Sequence, residues 1–168
     1  AAMERIGLKL DRDKVDAMVQ RAGAAGATRG TGGEKEGPGY CHTPTLLTEV
    51  DPDREIAQEE VFGPVLSVIK FKDEEEAGQI ANDVIYGLGS GVWTQNINRA
   101  IRMSKKIRAG TVWVNTYRAV SFTMPFGGYK SSGLGRENGA SAIEEYLQTK
   151  SVWVNLQVGG GGNPFVMK

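Results

Sequence analysis

Short apolar runs and amphipathic stretches alternate over residues 65–115, and this alternation constrains the fold more than any other feature. Residues 65–71 predict a buried strand, because apolar side chains fall on both of its alternating faces. A helix, a strand at residues 90–94, a second helix and a strand at residues 111–115 are predicted to follow. Connections this short favour right-handed crossovers and parallel pairing. The predicted fold class is therefore α/β, with a mostly parallel open sheet and flanking helices.

Capping residues and helical spacing predict three of the helices. Residues 12–24 form the first, whose apolar positions are Val15, Met18, Val19 and Ala22. Asp73 caps the second, with Glu76 in the capping-box position and Gly87 as its stop. Asn96 caps the third. The apolar stripe predicted for that third helix is Ile97, Ala100, Ile101, Ser104 and Ile107.

Outside this central region the sequence predicts extended segments, turns and one more helix. Residues 40–50 favour a strand that Pro44 interrupts, which suits the edge of a sheet. A short strand is expected at residues 27–30. Residues 139–147 predict a final helix, and residues 151–155 predict a late strand. Clusters of glycine separate several of these segments and indicate turns and loops.

Composition excludes several classes of function. The 168 residues carry 20 basic and 20 acidic side chains, so no net charge attracts nucleic acid or an anionic membrane. No apolar run is long enough to span a bilayer, and the N-terminus shows no signal-peptide pattern. The single cysteine, Cys41, excludes an internal disulfide framework and fits a reducing compartment. We therefore expect a cytoplasmic protein that binds neither nucleic acid nor membrane.

A short acidic and aromatic run directly precedes the first buried strand: Glu59-Glu60-Val61-Phe62-Gly63-Pro64. A carboxylate in this run can accept two hydrogen bonds from a sugar diol. The ring two residues after Glu60 can lie against a flat heterocycle, and the Gly-Pro corner holds both in place. Taken alone, the run is more typical of a solvated loop acid at Glu60 and a core residue at Phe62.

The glycine-rich residues 127–139 resemble two nucleotide-binding motifs but match neither. A P-loop needs glycine directly before its Lys-Ser/Thr pair, whereas Tyr129 precedes Lys130. A dinucleotide fingerprint follows a strand, but Gly133-Leu134-Gly135 follows a loop and meets its next glycine one position late, at Gly139. We interpret these glycines as positions that permit positive φ and close backbone approach to a ligand or subunit.

Cys41 is the only candidate nucleophile of its type, and the sequence argues against it. A reactive thiol needs a base or a helix N-terminus beside it. His42, the only histidine, is adjacent, but neighbouring side chains on an extended segment point to opposite faces. We interpret Cys41 as a packing residue. One His and one Cys cannot build a zinc site unaided, so no metal site is predicted.

Several motifs carry a family resemblance. Glu60-Val61-Phe62-Gly63-Pro64-Val65 resembles a signature of the NAD(P)-dependent aldehyde dehydrogenases. Longer matches to the same family are Gly110-Thr111-Val112-Trp113-Val114-Asn115, Pro125-Phe126-Gly127-Gly128-Tyr129-Lys130-Ser131-Ser132-Gly133 and Gly135-Arg136-Glu137. Tyr86-Gly87-Leu88 and Tyr146-Leu147-Gln148-Thr149-Lys150-Ser151-Val152 fit as well. The similarity runs from about Ile6 through Leu156 in unbroken order.

The resemblance implies roles for individual residues. Glu60 would bind the nicotinamide ribose hydroxyls of NAD or NADP, and Phe62 would flank the nicotinamide ring. Residues 116–125 occupy the place of the family's substrate loop. The residues expected to line the aldehyde tunnel are Tyr117, Val120, Phe122 and Phe126. This lining favours apolar or aromatic aldehydes, whereas Arg118 suits an acidic substrate, so the identity of the aldehyde stays open.

The resemblance also implies a partial domain. Residues 1–147 correspond to the C-terminal portion of the family's catalytic domain, residues 148–157 to its oligomerisation strand and residues 158–168 to a Gly-rich tail. The family's nucleophilic cysteine lies in a Gly-Gln-x-Cys context that Cys41 does not share, and its general base and cofactor domain are expected before residue 1. We therefore expect these residues to be inactive alone and to form a homo-oligomer through residues 148–156.

In the family, a thiolate attacks the aldehyde, the adduct passes hydride to NAD(P)+, and water activated by a base releases the carboxylic acid. This chain would contribute by positioning cofactor and substrate. An alternative from another class is a non-catalytic oligomerisation or interaction module derived from an aldehyde dehydrogenase. A small autonomous nucleotide-binding domain is a third hypothesis, against which the failed glycine fingerprints argue.

Overall fold

A computed structural model describes residues 12–37, 39–154 and 156; the predicted tail at residues 158–168 lies outside this range. The described α-helices are α1 (Arg12–Ala24), α2 (Glu55–Gln58), α3 (Glu74–Asn82) and α4 (Ile97–Lys106). The described strands are β1 (Thr28–Thr31), β2 (Lys35–Glu36), β3 (Cys41–His42), β4 (Thr45–Thr48), β5 (Val65–Ser67), β6 (Gly89–Val92) and β7 (Thr111–Val114). None of the described helices is long and apolar enough to cross a membrane.

The strands form three small sheets within the described residues, and the α/β class is confirmed. β4 lies between β1, which is antiparallel to it, and β5, which is parallel. β2 and β3 form an antiparallel pair, and β6 and β7 form a parallel one. The sheets are therefore mixed. The parallel part is divided between β4–β5 and β6–β7, because β5 pairs with β4 and not with β6.

The residues 65–71 are less buried than their apolar character predicts. β5 covers only Val65–Ser67, although the N–H of Val68 still donates to the carbonyl of Leu47 at 2.8 Å. Leu66 is 62% exposed and Phe71 is 60% exposed. An apolar run predicts a strand, but its burial depends on what covers each face, and the described residues leave one face of β5 open.

The structure confirms the predicted helix starts. The Asp73 side chain accepts a hydrogen bond from the Glu76 N–H at 2.9 Å. The Glu76 carboxylate in turn accepts from the Lys72 N–H at 2.7 Å, so the reciprocal bond falls one residue before the N-cap. Asn96 accepts from the Arg99 N–H at 3.1 Å. The first helix also begins and ends as predicted, at Arg12–Ala24.

The predicted end of α3 is wrong, because α3 stops at Asn82 and does not continue to Gly87. The backbone that follows is hydrogen-bonded to the glycine-rich loop instead of to the helix. The Ser131 N–H donates to the carbonyl of Ile85 at 2.9 Å, and the Tyr129 N–H donates to the carbonyl of Gly87 at 2.8 Å. Both carbonyls would lie in the last turn of a helix that ended at Gly87, where carbonyls have no partner within the helix, and the loop supplies donors to them instead.

Two hydrophobic clusters stabilise the described chain. The first comprises Met18, Val19, Ala22, Leu47, Val50 and Ile56. The second comprises Met103, Ile107 and Ala109. The stripe predicted for α4 is partly wrong, because Ile97 is 69% exposed and Ile101 is 48% exposed. The buried face of this helix runs through Ala100, Met103 and Ile107.

The strand β4 lies in the middle of its sheet and not at an edge, which corrects the prediction for residues 40–50. Pro44 precedes β4 by one residue, so its missing N–H falls outside the ladder. The ladder begins with Thr45, whose N–H donates to the carbonyl of Pro64 at 2.8 Å.

The C-terminal predictions are also corrected. The predicted final helix is a 3₁₀-helix, Ala140–Tyr146, which follows Gly139 with φ +70°. Residues 151–154 form no strand with the rest of the described chain, and their side chains are exposed, with Trp153 at 96%. Asn155 lies outside the described residues. A strand needs a partner, and the described chain offers none to this segment.

Candidate active site

A cavity of about 410 Å³ lies between the end of α2 and the segment that leads into β6. We call it the Glu60 cavity. Its lining includes Glu59, Glu60, Tyr86, Leu88, Arg108 and Ser132. The volume lies in the range of small-molecule sites. The six residues comprise two carboxylates, a phenol, an aliphatic side chain, a cation and a serine hydroxyl.

The short helix α2 places Glu60 at the rim of this cavity. Glu59 leaves the helix in an extended conformation, and its N–H donates to the carbonyl of Glu55 at 2.8 Å. The side chain of Gln58 donates to the carbonyls of Pro52 and Asp83, each at 2.7 Å, which ties α2 to the end of α3. Both Glu59 and Glu60 are exposed and line the cavity.

Phe62 lies close to Glu60 in sequence but is not part of the cavity lining. Its ring is 64% exposed, so the structure does not bury it as a core residue. The φ angle of Phe62 is +53°, a left-handed conformation that bulky residues rarely adopt. Such outliers persist only where the surrounding structure imposes them, and they are common at functional sites.

The glycine-rich loop forms another part of the cavity wall through hydrogen bonds that sequence reasoning missed. The Ser132 hydroxyl accepts from the Gly87 N–H at 2.9 Å. The Lys130 ammonium donates to the carbonyls of Asn82 at 2.7 Å and Val84 at 2.8 Å. The sequence carries no local signal for these bonds, because the partners lie more than 40 residues apart.

Glycines of this loop and before β7 approach other parts of the same chain closely, and the predicted approach to a ligand or subunit stays a prediction. A Cβ built on Gly110 would lie 1.6 Å from the carbonyl oxygen of Gly127. A Cβ built on Gly128 would lie 2.5 Å from the Cβ of Ser132. No other residue fits at these two positions without moving the backbone. The glycines therefore allow the loop to pack against the start of β7.

The predicted substrate loop, residues 116–125, borders a second cavity of about 340 Å³, which we call the loop cavity. Val120 and Phe126 line it together, with Trp113 of β7. The two other predicted tunnel residues are not part of its lining. Tyr117 is 66% exposed and Phe122 is 92% exposed. The structure thus brings two of the four predicted residues into one cavity.

Trp113 holds the loop through contacts that the sequence did not reveal. Its indole Nε1–H donates to the carbonyl of Ala119 at 2.7 Å. Its ring meets Tyr117 edge-on, with centroids 5.8 Å apart and planes at 73°. The loop begins at Asn115, whose side-chain amide makes two 2.8 Å hydrogen bonds with the backbone of Thr94. The loop is therefore attached to the sheet at its start and near its middle.

Cys41 is exposed on β3, so the prediction that it packs in the interior is wrong. His42 is half-buried, and its Nδ1 lies 3.0 Å from the carbonyl oxygen of Thr43. The two side chains thus differ in burial, as alternation along a strand predicts. Across the described residues, no group of three or more His, Cys, Asp or Glu side chains is placed to hold a metal ion.

The most perturbed carboxyl in the described chain lies on α3. Hydrogen bonds from Arg102, together with weaker ones from Arg99, lower the pKa of Glu74 to about 2, although partial burial opposes the shift. The Arg102 nitrogens lie 2.8 Å from the two carboxylate oxygens, and the Arg99 Nε lies 3.2 Å from one of them. This bidentate pairing joins α3 to α4 and gives no sign of a catalytic acid.

Comparison with known proteins identifies the family of this chain. The sequence matches the aldehyde dehydrogenase family over residues 9–152. An aldehyde dehydrogenase of Emericella nidulans is 49% identical over 149 residues, which are 88% of this chain and 30% of that protein. The (Z)-2-((N-methylformamido)methylene)-5-hydroxybutyrolactone dehydrogenase of Acinetobacter baylyi is 49% identical over 159 residues, which are 94% of this chain and 33% of that protein.

Solved structures show the same relationship. The Mycobacterium tuberculosis aldehyde dehydrogenase complexed with NAD+ is 41% identical, with a TM-score of 0.81 over 89% of this chain and 31% of that one. The Staphylococcus aureus betaine aldehyde dehydrogenase with NAD+ is 42% identical, with a TM-score of 0.77 over 83% of this chain and 28% of that one. The chain belongs to the aldehyde dehydrogenase family. It spans about 30% of the length of the curated relatives that it matches.

Proposed function

We propose that these residues form part of an enzyme that oxidises an aldehyde to the carboxylic acid with NAD+ or NADP+. The observation that carries the proposal is the Glu60 cavity, in which an exposed carboxylate borders a space of about 410 Å³. The NAD+ complexes of the two solved relatives support the choice of cofactor. In this proposal, residues 1–147 belong to the catalytic domain and residues 148–157 to an assembly strand.

The side chains near the cavity suit the nicotinamide end of the cofactor. Glu60 is exposed, so both of its carboxylate oxygens can accept from the two hydroxyls of a ribose. Such hydrogen bonds are charge-assisted and stronger than neutral ones. Phe62 exposes 64% of its surface, which leaves a ring face for the flat nicotinamide. When bound, NAD+ or NADP+ supplies the hydride acceptor for the oxidation.

The loop cavity is proposed to form part of the aldehyde site. Val120 and Phe126 give it an apolar wall, and the exposed rings of Tyr117 and Phe122 would border the entrance. The loop's attachment through Trp113 would keep this wall in one position, which favours a defined orientation of the aldehyde. Apolar or aromatic aldehydes are the class that such a lining binds best.

The nucleophile and the base are not assigned to any residue described here. Cys41 is exposed on a two-residue strand, and His42 contacts the backbone of Thr43. We therefore propose that these 168 residues alone do not turn over aldehydes. We also propose a cytoplasmic location, which the single cysteine supports, and assembly into a homo-oligomer through residues 148–156.

Glu60→Gln in the full-length enzyme that carries this segment tests the proposal. The amide replaces only part of the charge-assisted hydrogen bonding, so single-turnover hydride transfer should slow roughly tenfold, which corresponds to about 1.4 kcal/mol. Glu36→Gln, at an exposed position of β2 that does not line the cavity, is the control and should change the rate little. A larger loss for Glu59→Gln would show that the register of the proposed cofactor contact is wrong.

A second measurement separates catalysis from the alternative of an interaction module. The 168-residue chain is assayed for NAD+ reduction with a panel of aldehydes, beside its Cys41→Ala variant. We expect no turnover from either. Turnover that Cys41→Ala abolishes would show that Cys41 is the nucleophile and would overturn the proposal that these residues are inactive alone. If neither Glu60→Gln nor Phe62→Ala weakens cofactor binding by the full-length enzyme, the result would favour the non-catalytic interaction module.

A further inference from the structure

The backbone conformation of Phe62 requires an explanation outside Phe62 itself. Its φ of +53° lies in the left-handed region, which L-residues with large side chains disfavour. The ring is 64% exposed, so its own packing does not compensate. Strained conformations of this kind persist where the neighbouring residues are held firmly. The two neighbours of Phe62 are Val61 and Gly63.

Both neighbours of Phe62 are held toward helix α1. Val61 packs against the first hydrophobic cluster, to which α1 contributes three residues. Gly63 lies against Val15 of α1: a Cβ built on Gly63 would be 2.7 Å from Cγ2 and 2.9 Å from Cγ1 of that side chain. Real Cβ atoms essentially never come this close to another carbon. Only glycine lets the backbone approach α1 to this distance.

Val15 cannot easily give way to a larger residue at position 63. It is only 4% exposed, so protein atoms surround it. It is also β-branched, and a valine in a helix has one strongly preferred rotamer. A methyl group at position 63 would therefore displace the backbone of residues 61–63 and not the helix side chain. Close packing transmits such a displacement to adjacent residues.

We propose that the contact between Val15 and Gly63 is the positioning contact for Phe62. With Val61 held in the core and Gly63 held against α1, the chain between them turns outward at Phe62 and presents its ring to the solvent. Val15 and Gly63 touch neither the cofactor nor the substrate in this proposal, and they act only through Phe62. The inference rests on the proposed role of Phe62 beside the nicotinamide.

The test is a rescue experiment in the full-length enzyme, read out as NAD+ affinity by calorimetry. The φ of Gly63 is not in the left-handed region, so Gly63→Ala adds a methyl group without the strain of a positive φ. We expect NAD+ to bind about threefold to tenfold more weakly, since this is the affinity that one aromatic stacking contact contributes. Val15→Ala removes both Cγ atoms, so the double variant should regain most of the affinity.

Val19→Ala is the matched control, because Val19 is a buried valine of the same helix that is not among the atoms nearest to Gly63. It should not restore affinity to Gly63→Ala. If Gly63→Ala does not fold, Val15→Ala is compared with Met103→Ala, a buried residue of the second hydrophobic cluster, and only Val15→Ala should weaken NAD+ binding, because it frees Gly63. The inference is overturned if Val15→Ala and Val19→Ala restore NAD+ affinity to Gly63→Ala equally. It is also overturned if a folded Gly63→Ala enzyme binds NAD+ with unchanged affinity.

A third variant distinguishes failure of this inference from failure of the proposed function. Phe62→Ala should weaken NAD+ binding if the ring contacts the nicotinamide. Unchanged affinity in Phe62→Ala would contradict the proposed role of Phe62, and the positioning inference would fall with it. Weakened binding in Phe62→Ala together with normal binding in Gly63→Ala would leave the proposed function standing and overturn only the positioning role.

Discussion

The ammonium group of Lys130 donates to the carbonyl oxygen of Asn82 over 2.7 Å and to that of Val84 over 2.8 Å. The Asn82 side chain in turn donates to the carbonyl of Lys106 at 2.9 Å and accepts from the Arg108 N–H at 2.7 Å. The ends of α3 and α4 and the glycine-rich loop therefore meet at one asparagine. Arg108 also lines the Glu60 cavity, so this junction supports the candidate site.

Lys130→Met should destabilise the chain. The substitution keeps the apolar stem but removes two hydrogen bonds from a charged donor in a half-buried position. Hydrogen bonds to charged groups contribute about 1.5 to 3 kcal/mol, and we expect a loss of that order in the free energy of unfolding by urea. Lys105→Met, at an exposed position of α4, is the control and should change stability by less than about 0.5 kcal/mol. Equal unfolding midpoints for the two variants would contradict the role given to Lys130.

Trp113→Phe should loosen residues 116–125. Phenylalanine keeps an aromatic ring but cannot donate to the carbonyl of Ala119. The loss of one hydrogen bond, about 1 kcal/mol, should raise the population of the open loop about fivefold. Trypsin cleavage after the exposed Arg118 measures this opening, because cleavage tracks the open population when closing is fast. The control is Trp93→Phe, which should leave the cleavage rate unchanged; an equal increase in both variants would contradict the prediction.

Glu74→Gln should change the pH dependence of stability. The pKa of Glu74 is lowered from 4.5 to about 2 in the folded chain, first by Arg102 and then by Arg99. Because the folded-state pKa is lower than the unfolded one, the carboxylate stabilises the fold above about pH 4.5, and this contribution is lost as the pH falls toward 2. The difference in Tm between the parent and Glu74→Gln should therefore be constant near neutral pH and shrink between pH 4.5 and pH 2.

The matched control for Glu74 is Glu36→Gln, at an exposed position of β2. The difference in Tm between the parent and Glu36→Gln should stay small throughout this pH range. Added salt should reduce the Glu74 effect, since the ion pairs with Arg99 and Arg102 are partly exposed and are screened. If the difference in Tm between the parent and Glu74→Gln grows on acidification, the direction given for the pKa shift of Glu74 is wrong.

Val152→Lys combined with Val154→Lys should shift the chain toward monomer. The two valines are 74% and 73% exposed and flank Trp153, which is 96% exposed. An exposed apolar segment with unpaired backbone tends to pair with another chain, and charges on it oppose pairing. Light scattering at micromolar concentration measures the mass. Leu134→Lys, in the glycine-rich loop, is the control for removal of exposed apolar surface. If the parent is a monomer and the double variant has the same mass, assembly through this segment is contradicted.

The sequence by itself determined the starts of α1, α3 and α4 and the order of the elements from β5 to β7. Asp73 and Asn96 form their caps within three residues of their own positions, so each cap depends only on local chemistry. The alternation of strands and helices likewise predicted the α/β class and the parallel pairing of β6 with β7. The motif around Glu60 and Phe62 indicated a candidate cofactor site before any geometry was known, and that assignment stays a prediction.

Only the tertiary structure decided where α3 ends and which strands flank β4. The end of α3 at Asn82 depends on hydrogen bonds from the loop around Lys130, and the central position of β4 depends on two strands distant in sequence. The left-handed conformation of Phe62 likewise depends on distant residues, because its two neighbours are held toward α1. The physical reason is that capping and periodicity act within a few residues. Burial and strand pairing depend on which distant surfaces fold together, and a local pattern does not specify those surfaces.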